Sequence, residues 1–265
     1  MTLVGSLIRA SIGKKFLMAL TGALLLAFVT GHLIGNLQIF GAPEKINGYA
    51  HFLLSLGPTL WAVRLGLLAC VFIHVTMAVQ LTLEDYRARP ERYEVRHTIQ
   101  ATLSSRTMRW TGVVVLAFLL YHLAQFTVGW VHADEFKSGH AYVMTADFHV
   151  LGFPVVARGQ EVPDVYSMVF LGFAHPAVSA FYIIAIGLLS FHLAHGADNM
   201  FQTLGWRSEK WAGWLKKIVV LYCVLYFLGN LAIPGAILTG VAKPAAGTYA
   251  AQILAAAHGS AGVPR

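Results

Sequence analysis

Five long apolar runs, at about residues 16–40, 60–83, 110–131, 169–195 and 218–241, constrain this chain more than anything else in it. Each is long enough to cross a hydrocarbon core of roughly 30 Å, which takes about 20 helical residues. Inside such a core the backbone must satisfy its own hydrogen bonds, so helices are the expected form. The composition agrees: 57% of residues are hydrophobic and 12% charged, with a mean hydropathy of +0.64, which excludes an ordinary soluble domain. The expected fold class is therefore an all-α membrane protein. One transmembrane domain of five helices would occupy residues 1–242, and a loosely ordered tail rich in Ala and Gly would occupy 243–265. The first run is too long for a cleaved signal, and no small-residue cleavage site follows it.

Lys and Arg concentrate in alternate connections, as they do in cytoplasmic loops. The leader holds Arg9, Lys14 and Lys15; the second connection holds Arg87, Arg89, Arg92, Arg96, Arg106 and Arg109; the fourth holds Arg207, Lys210, Lys216 and Lys217. Lys45, Arg64, Lys137, Arg158, Lys243 and Arg265 are scattered over the rest. The N-terminus is thus expected in the cytoplasm and the C-terminus, after five crossings, outside. The formal charge of +7 is then a topology signal and requires no nucleic acid.

The connection Ala88–Arg106 mixes both charge signs and reads as a polar cytoplasmic loop able to meet a soluble partner. The longest connection, from His132 to about Ser167, would lie outside; its "FHVLGFPVVARGQEVPDVY" alternates Val and Phe around Gly and Pro and suggests a short hairpin. Between Phe201 and Lys217, Trp206, Trp211 and Trp214 alternate with basic residues, the pattern of a segment lying at the inner interface. Cys70 and Cys223 lie in separate apolar runs and read as small buried hydrophobes.

Of twelve histidines, His97, His132, His140, His149 and His258 fall in expected loops or the tail, where solvation explains them. His32, His74, His122 and His192 lie one per helix in the first four helices. An ionisable side chain at membrane depth is costly unless satisfied, and marks a functional site by default. At a rise of about 1.5 Å per residue, His32 lies about 24 Å and His122 about 20 Å from the inner surface, whereas His192 lies about 9 Å from it. His74 lies about 24 Å from the outer surface, which in a slab of roughly 30 Å leaves it within about 10 Å of the inner one. The four sort into an outer pair, His32 with His122, and an inner pair, His74 with His192.

Two imidazoles facing each other from different helices at one depth are what bis-histidine ligation of a haem iron requires. A metal-only site is weaker, because zinc or iron would want three or four converging ligands and the nearest acids, Glu84, Asp85 and Asp198, lie at helix ends. No C-x-x-C-H is present to attach a haem covalently. Gly31 and Gly35, with Ala78 and Gly196 one turn from their histidines, would give a porphyrin room; close helix packing is the competing use of such residues. His195 would contact a haem propionate or solvent at the inner edge. Arg64 would snorkel to the outer interface or pair with a propionate. His51, in "NGYAHFLLSLGP", would donate to a quinone carbonyl or cap the interface.

The ordered set "TGHLIGN", "FIHVTMA", "LYHLAQF" and "SFHLAHGADNMFQTLGW", together with "NGYAHFLLSLGP", resembles the five-helix dihaem cytochrome b anchor of succinate dehydrogenases and related fumarate reductases (succinate:quinone oxidoreductases). The resemblance covers nearly all of the chain up to about Val241. It implies two non-covalent haems b, held by His74 with His192 near the iron–sulfur partner and by His32 with His122 near the outer face. It implies a quinone, by family menaquinone, as electron partner. A flavoprotein subunit and an iron–sulfur subunit would dock on the cytoplasmic face, and the location would be the bacterial inner membrane. Two departures stand out. The loop from His132 to Ser167 is longer than in the short members, and Ser190 stands where some fumarate reductases carry a glutamate implicated in proton transfer. The chain has no dinucleotide fingerprint and would not oxidise succinate by itself. Two rivals stay open at this stage: a dihaem cytochrome b of another quinone-linked dehydrogenase, and a haem-free transporter whose histidines relay protons.

Overall fold

A computed structural model describes residues 10–88 and 103–260. Arg9, His97 and most of the Ala88–Arg106 connection lie outside the described residues. Helix α1 covers Ser11–Asn36 and runs on as a 3-10 turn, Leu37–Phe40; α2 covers Pro43–Ser55, α3 Pro58–Ala88, and α4 Leu103–Leu123. Strands β1 to β4 follow at Ala141–Val143, Phe148–Val150, Phe153–Val156 and Glu161–Pro163, and then α5 at Val165–Ala174, α6 at Pro176–Thr203, α7 at Glu209–Leu238 and α8 at Tyr249–Ser260. Five of these segments are long and apolar enough to cross a membrane: Ser11–Phe40, Pro58–Ala88, Thr107–Val128, Pro176–Thr203 and Glu209–Leu238. The chain has the make-up of a multi-pass membrane protein.

Local chemistry sets the boundaries. Pro43 opens α2 at a first-turn position, where a missing N–H costs nothing. Gly57, at φ +52, makes the turn into α3, a conformation that a residue with a Cβ adopts only under strain. Asp164 caps α5 by accepting from the Ser167 backbone N–H at 2.9 Å.

Four features differ from the sequence expectation. The fourth apolar run is two helices, α5 and α6, because Pro176 holds His175 in an extended conformation (φ −77, ψ 113). The fourth helix, α4, ends not in a regular turn but in a π-helical one, Ala124–Val128, which begins two residues after His122. Phe201–Lys217 forms the end of α6, a turn and the first two turns of α7, which begins well before residue 218, with Trp206, Trp211 and Trp214 all exposed. The tail from Lys243 is not loose throughout: it contains α8, whose Ala250 is fully buried and donates its N–H to Ser167 Oγ at 3.1 Å.

The hairpin in the long connection is present. β2 and β3 pair antiparallel across Leu151 and Gly152, both at positive φ, as a two-residue turn with both central residues left-handed requires. β1 pairs with β4, and Met144, Val156 and Val162 form a small core between the strand pairs.

Contacts divide the chain into two units: residues 1–31, 61–112 and 189–226, and residues 32–60, 113–188 and 227–265. The first unit packs around Ala197, Val219 and Cys223, with Leu26, Leu193 and Phe201 against them. The second has a larger core, including Ile39, Ile46, Phe118, Tyr166, Phe170, Tyr182 and Ile233. Asn47 of α2, fully buried, fastens this second core: it accepts from the Tyr166 N–H at 2.8 Å and donates to Asp164 at 3.3 Å.

Candidate functional site: two histidine pairs

The four helical histidines meet two by two, one pair in each unit. In the first unit, His74 of α3 and His192 of α6 have ring centroids 6.4 Å apart and planes at 62°. In the second, His32 of α1 and His122 of α4 have centroids 5.6 Å apart and planes at 90°. His32 is exposed and the other three are half-buried, so the surrounding protein does not seal the rings.

The hydrogen bonds behind the rings decide which nitrogen carries the proton. His74 Nδ1 lies 3.1 Å from the Met18 carbonyl oxygen, which can only accept, so Nδ1 is the N–H. Thr21 Oγ1 lies 3.3 Å from the same nitrogen, while its own hydroxyl donates to the Leu17 carbonyl at 2.8 Å. Thr111 repeats the device for His192: its hydroxyl donates to the Met108 carbonyl at 3.0 Å, and its oxygen faces His192 Nδ1 at 3.4 Å. His122 Nδ1 faces the Tyr182 hydroxyl oxygen at 3.4 Å, and Tyr182 donates onward to Gln125 Oε1 at 2.9 Å. In all three the network assigns the proton to Nδ1 and leaves the lone pair on Nε2. This is how proteins orient an imidazole for a metal: one nitrogen tied to a partner, the other directed at the ion.

The surroundings of the pairs differ. His122 lies among Phe118, Phe126 and Tyr182, with ring centroids 5.9, 5.7 and 6.1 Å away. Against the first pair lie glycines instead: a Cβ on Gly22 would stand 3.3 Å from His74 Cε1, and one on Gly112 would stand 3.6 Å from His192 Cε1. A Cβ on Gly31 would meet nothing within 4 Å, as clearance for a planar group requires. Gly35 is different: a Cβ there would fall 2.8 Å from the Tyr49 ring, so the absence of a side chain lets Tyr49 pack against α1. Gly196 faces Met108 at 3.8 Å.

The remaining sequence candidates have partners of their own. The Arg64 guanidinium lies over the Trp61 ring, 5.2 Å from its centroid. His195 accepts from Asn199 Nδ2 at 2.7 Å. His51 Nε2 stands 3.1 Å from Gln160 Nε2. Ser190 is buried. Sequence reasoning missed Thr21, Thr111, Tyr182 and Gln125. A polar side chain in an apolar run was the only trace they left, and it does not say which way the residue faces.

Two imidazoles per group, with Nε2 left free at His74, His192 and His122, fit the donor set of a haem iron. A metal–imidazole bond of about 2 Å on each side, plus about 1 Å from nitrogen to ring centre, places the centroids about 6 Å apart, and the two observed separations bracket that distance. Neither pair belongs to a larger ligand group: among the described residues, the one cluster of three or more potential metal ligands is His132, Glu135 and His175. No family model matches the chain, and neither a curated protein nor a solved structure shows significant similarity to it.

Proposed function

We propose that this chain is the dihaem cytochrome b membrane anchor of a succinate:quinone oxidoreductase. The observation that carries the reading is the twofold occurrence of a facing imidazole pair, with Nδ1 tied to the protein at His74, His192 and His122. The family assignment rests on the ordered histidine motifs of the sequence. When bound, two haems b supply one-electron transfer between an iron–sulfur partner and a quinone, by family menaquinone.

The chain's own residues hold, orient and insulate. His74 and His192 would hold one haem, and His32 and His122 the other. Met18, Thr21, Thr111 and Tyr182 fix the ring rotamers and, by accepting from Nδ1–H, make the opposite nitrogen more basic and so a stronger donor. The aromatic wall around His122 lowers the local dielectric, which together with ligand basicity sets a haem potential. The N-terminus and the basic ends of the helices would face the cytoplasm, where the flavoprotein and iron–sulfur subunits would dock.

The first test is a pyridine haemochrome assay on the purified chain. Two haems b per chain are expected, and none would overturn the reading. Co-purification with a flavinylated, succinate-oxidising subunit separates this anchor from the cytochrome b of another dehydrogenase.

A further inference from the structure

The second unit holds one more group of ligating side chains besides its histidine pair. His132 directly precedes the 3-10 turn Ala133–Glu135, and His175 directly precedes α6. One ligand atom from each of His132, Glu135 and His175 lies within 4.8 Å of the others. His175 Nε2 and Glu135 Oε1 are 2.8 Å apart, and the His132 and His175 rings stack with centroids 4.4 Å apart at 19°. Glu135 Oε2 is buried and has no hydrogen-bond donor among the described residues. One hydrogen bond accounts for Oε1 but leaves Oε2 bare, an arrangement that protein interiors avoid unless something else satisfies the atom.

We propose that His132, Glu135 and His175 bind a divalent transition-metal ion, with zinc the best match. Two imidazoles and one carboxylate are a donor set zinc accepts, with a fourth position left for water. Calcium and magnesium prefer all-oxygen sets, which this group does not offer. Ligand atoms around one tetrahedral zinc stand about 3.4 Å apart, so His175 and Glu135, 2.8 Å apart here, open slightly on binding, while any pair near the 4.8 Å limit closes by about 1 Å, both within reach of side-chain rotation. On binding, His175 gives up its hydrogen bond to Glu135, the Nε2 proton passing to solvent or being replaced by one on Nδ1; a lone pair of each imidazole then goes to the ion, and the carboxylate turns to it. Glu135 and His175 are 40 positions apart. The ion therefore closes the long connection that carries β1 to β4, pinning the segment after α4 to the start of α6, and a clip across a loop of this length removes much of its conformational freedom.

The test is equilibrium dialysis of the full-length chain against Zn²⁺, after chelator treatment, with metal read by atomic absorption. One zinc per chain is expected at about micromolar free metal or below, and Glu135→Gln and His175→Ala should each weaken it by at least about tenfold. The optical spectrum of the paired-histidine haems, or circular dichroism if no haem is bound, shows that each variant is folded. Failure of the unmodified chain to retain zinc overturns the site without reference to any variant. So does retention in both variants equal to that of the unmodified chain. Haem content reports on the proposed function and zinc content on this site, so either can fail alone.

Discussion

The His74–His192 pair is held by helix hydroxyls and a backbone carbonyl, the His32–His122 pair by aromatic rings and a relay between helices. In the first unit Thr21 and Thr111 bond back to carbonyls of their own helices and offer the oxygen to a histidine. Such a support depends on little beyond the helix that carries it, and His74 has a second acceptor in Met18. In the second unit His122 leans on Tyr182 of α6, which leans on Gln125 in the π-helical turn. That support depends on the packing of a large core, in which Phe118, Phe173 and Tyr182 stack edge to face. Redundant, local support tolerates substitution, whereas a relay between helices fails at any one link.

The largest expected effect separates the pairs altogether. His74→Ala or His192→Ala should remove one haem per chain and leave the other spectral component in place, and His32→Ala or His122→Ala should do the reverse. A redox titration followed optically reads both components at once. If His74→Ala removed the same component as His122→Ala, the division into two pairs would fail.

A smaller effect compares the supports. Tyr182→Phe removes the acceptor for His122 and should weaken the haem of that pair by about 10- to 100-fold, the usual cost of losing an outer partner of a metal ligand. Thr111→Val should weaken the other haem by about tenfold at the low end of the same range, and Thr21→Val by less, because Met18 still accepts from His74. Haem dissociation rates measured with an apoprotein acceptor rank the three variants. A loss in Thr21→Val as large as in Tyr182→Phe would mean that redundancy does not protect the first pair.

The sequence made the helices and the pairing geometry accessible for a simple reason: rise per residue and bilayer thickness are both fixed, so counting residues gives depth. Rotation about a helix axis is not fixed in that way. Nothing in the sequence shows that Thr21 faces His74 while Gly35 faces Tyr49. Hydropathy also runs unbroken through His175 and Pro176, although the proline itself ends one helix and starts the next. His175 passed as part of an apolar run, and its meeting with Glu135 depends on that break. The Ala-rich tail was read by composition as loose, but Ala is also the best helix former, and burial of Ala250 against α5 decides between the two.

The smallest expected effect lies in the second unit alone and tests its polar side. Glu44 of α2 accepts from the Tyr142 hydroxyl at 2.7 Å and from the Thr145 hydroxyl, joining α2 to the strand region. Burial works to raise the Glu44 carboxyl, but the hydrogen bonds from Thr145 and Tyr142 outweigh it and hold the group below its ordinary value of 4.5. Burial, followed by the bond to Glu44, pushes the Tyr142 phenol upward. A carboxyl whose folded-state pKa is depressed contributes stability that is complete above its unfolded pKa and is lost as pH falls through the folded one. Glu44→Gln keeps an acceptor but not the charge, so it should cost about 1 kcal/mol at neutral pH, and the gap should close as pH falls below about 4.5. Hydrogen exchange in β1 and β4 at neutral and acid pH measures that gap locally. A gap that persists unchanged in acid would assign the loss to altered packing and not to the ionised carboxylate. The proposed haem at His74 and His192, in the other unit, should not respond at either pH.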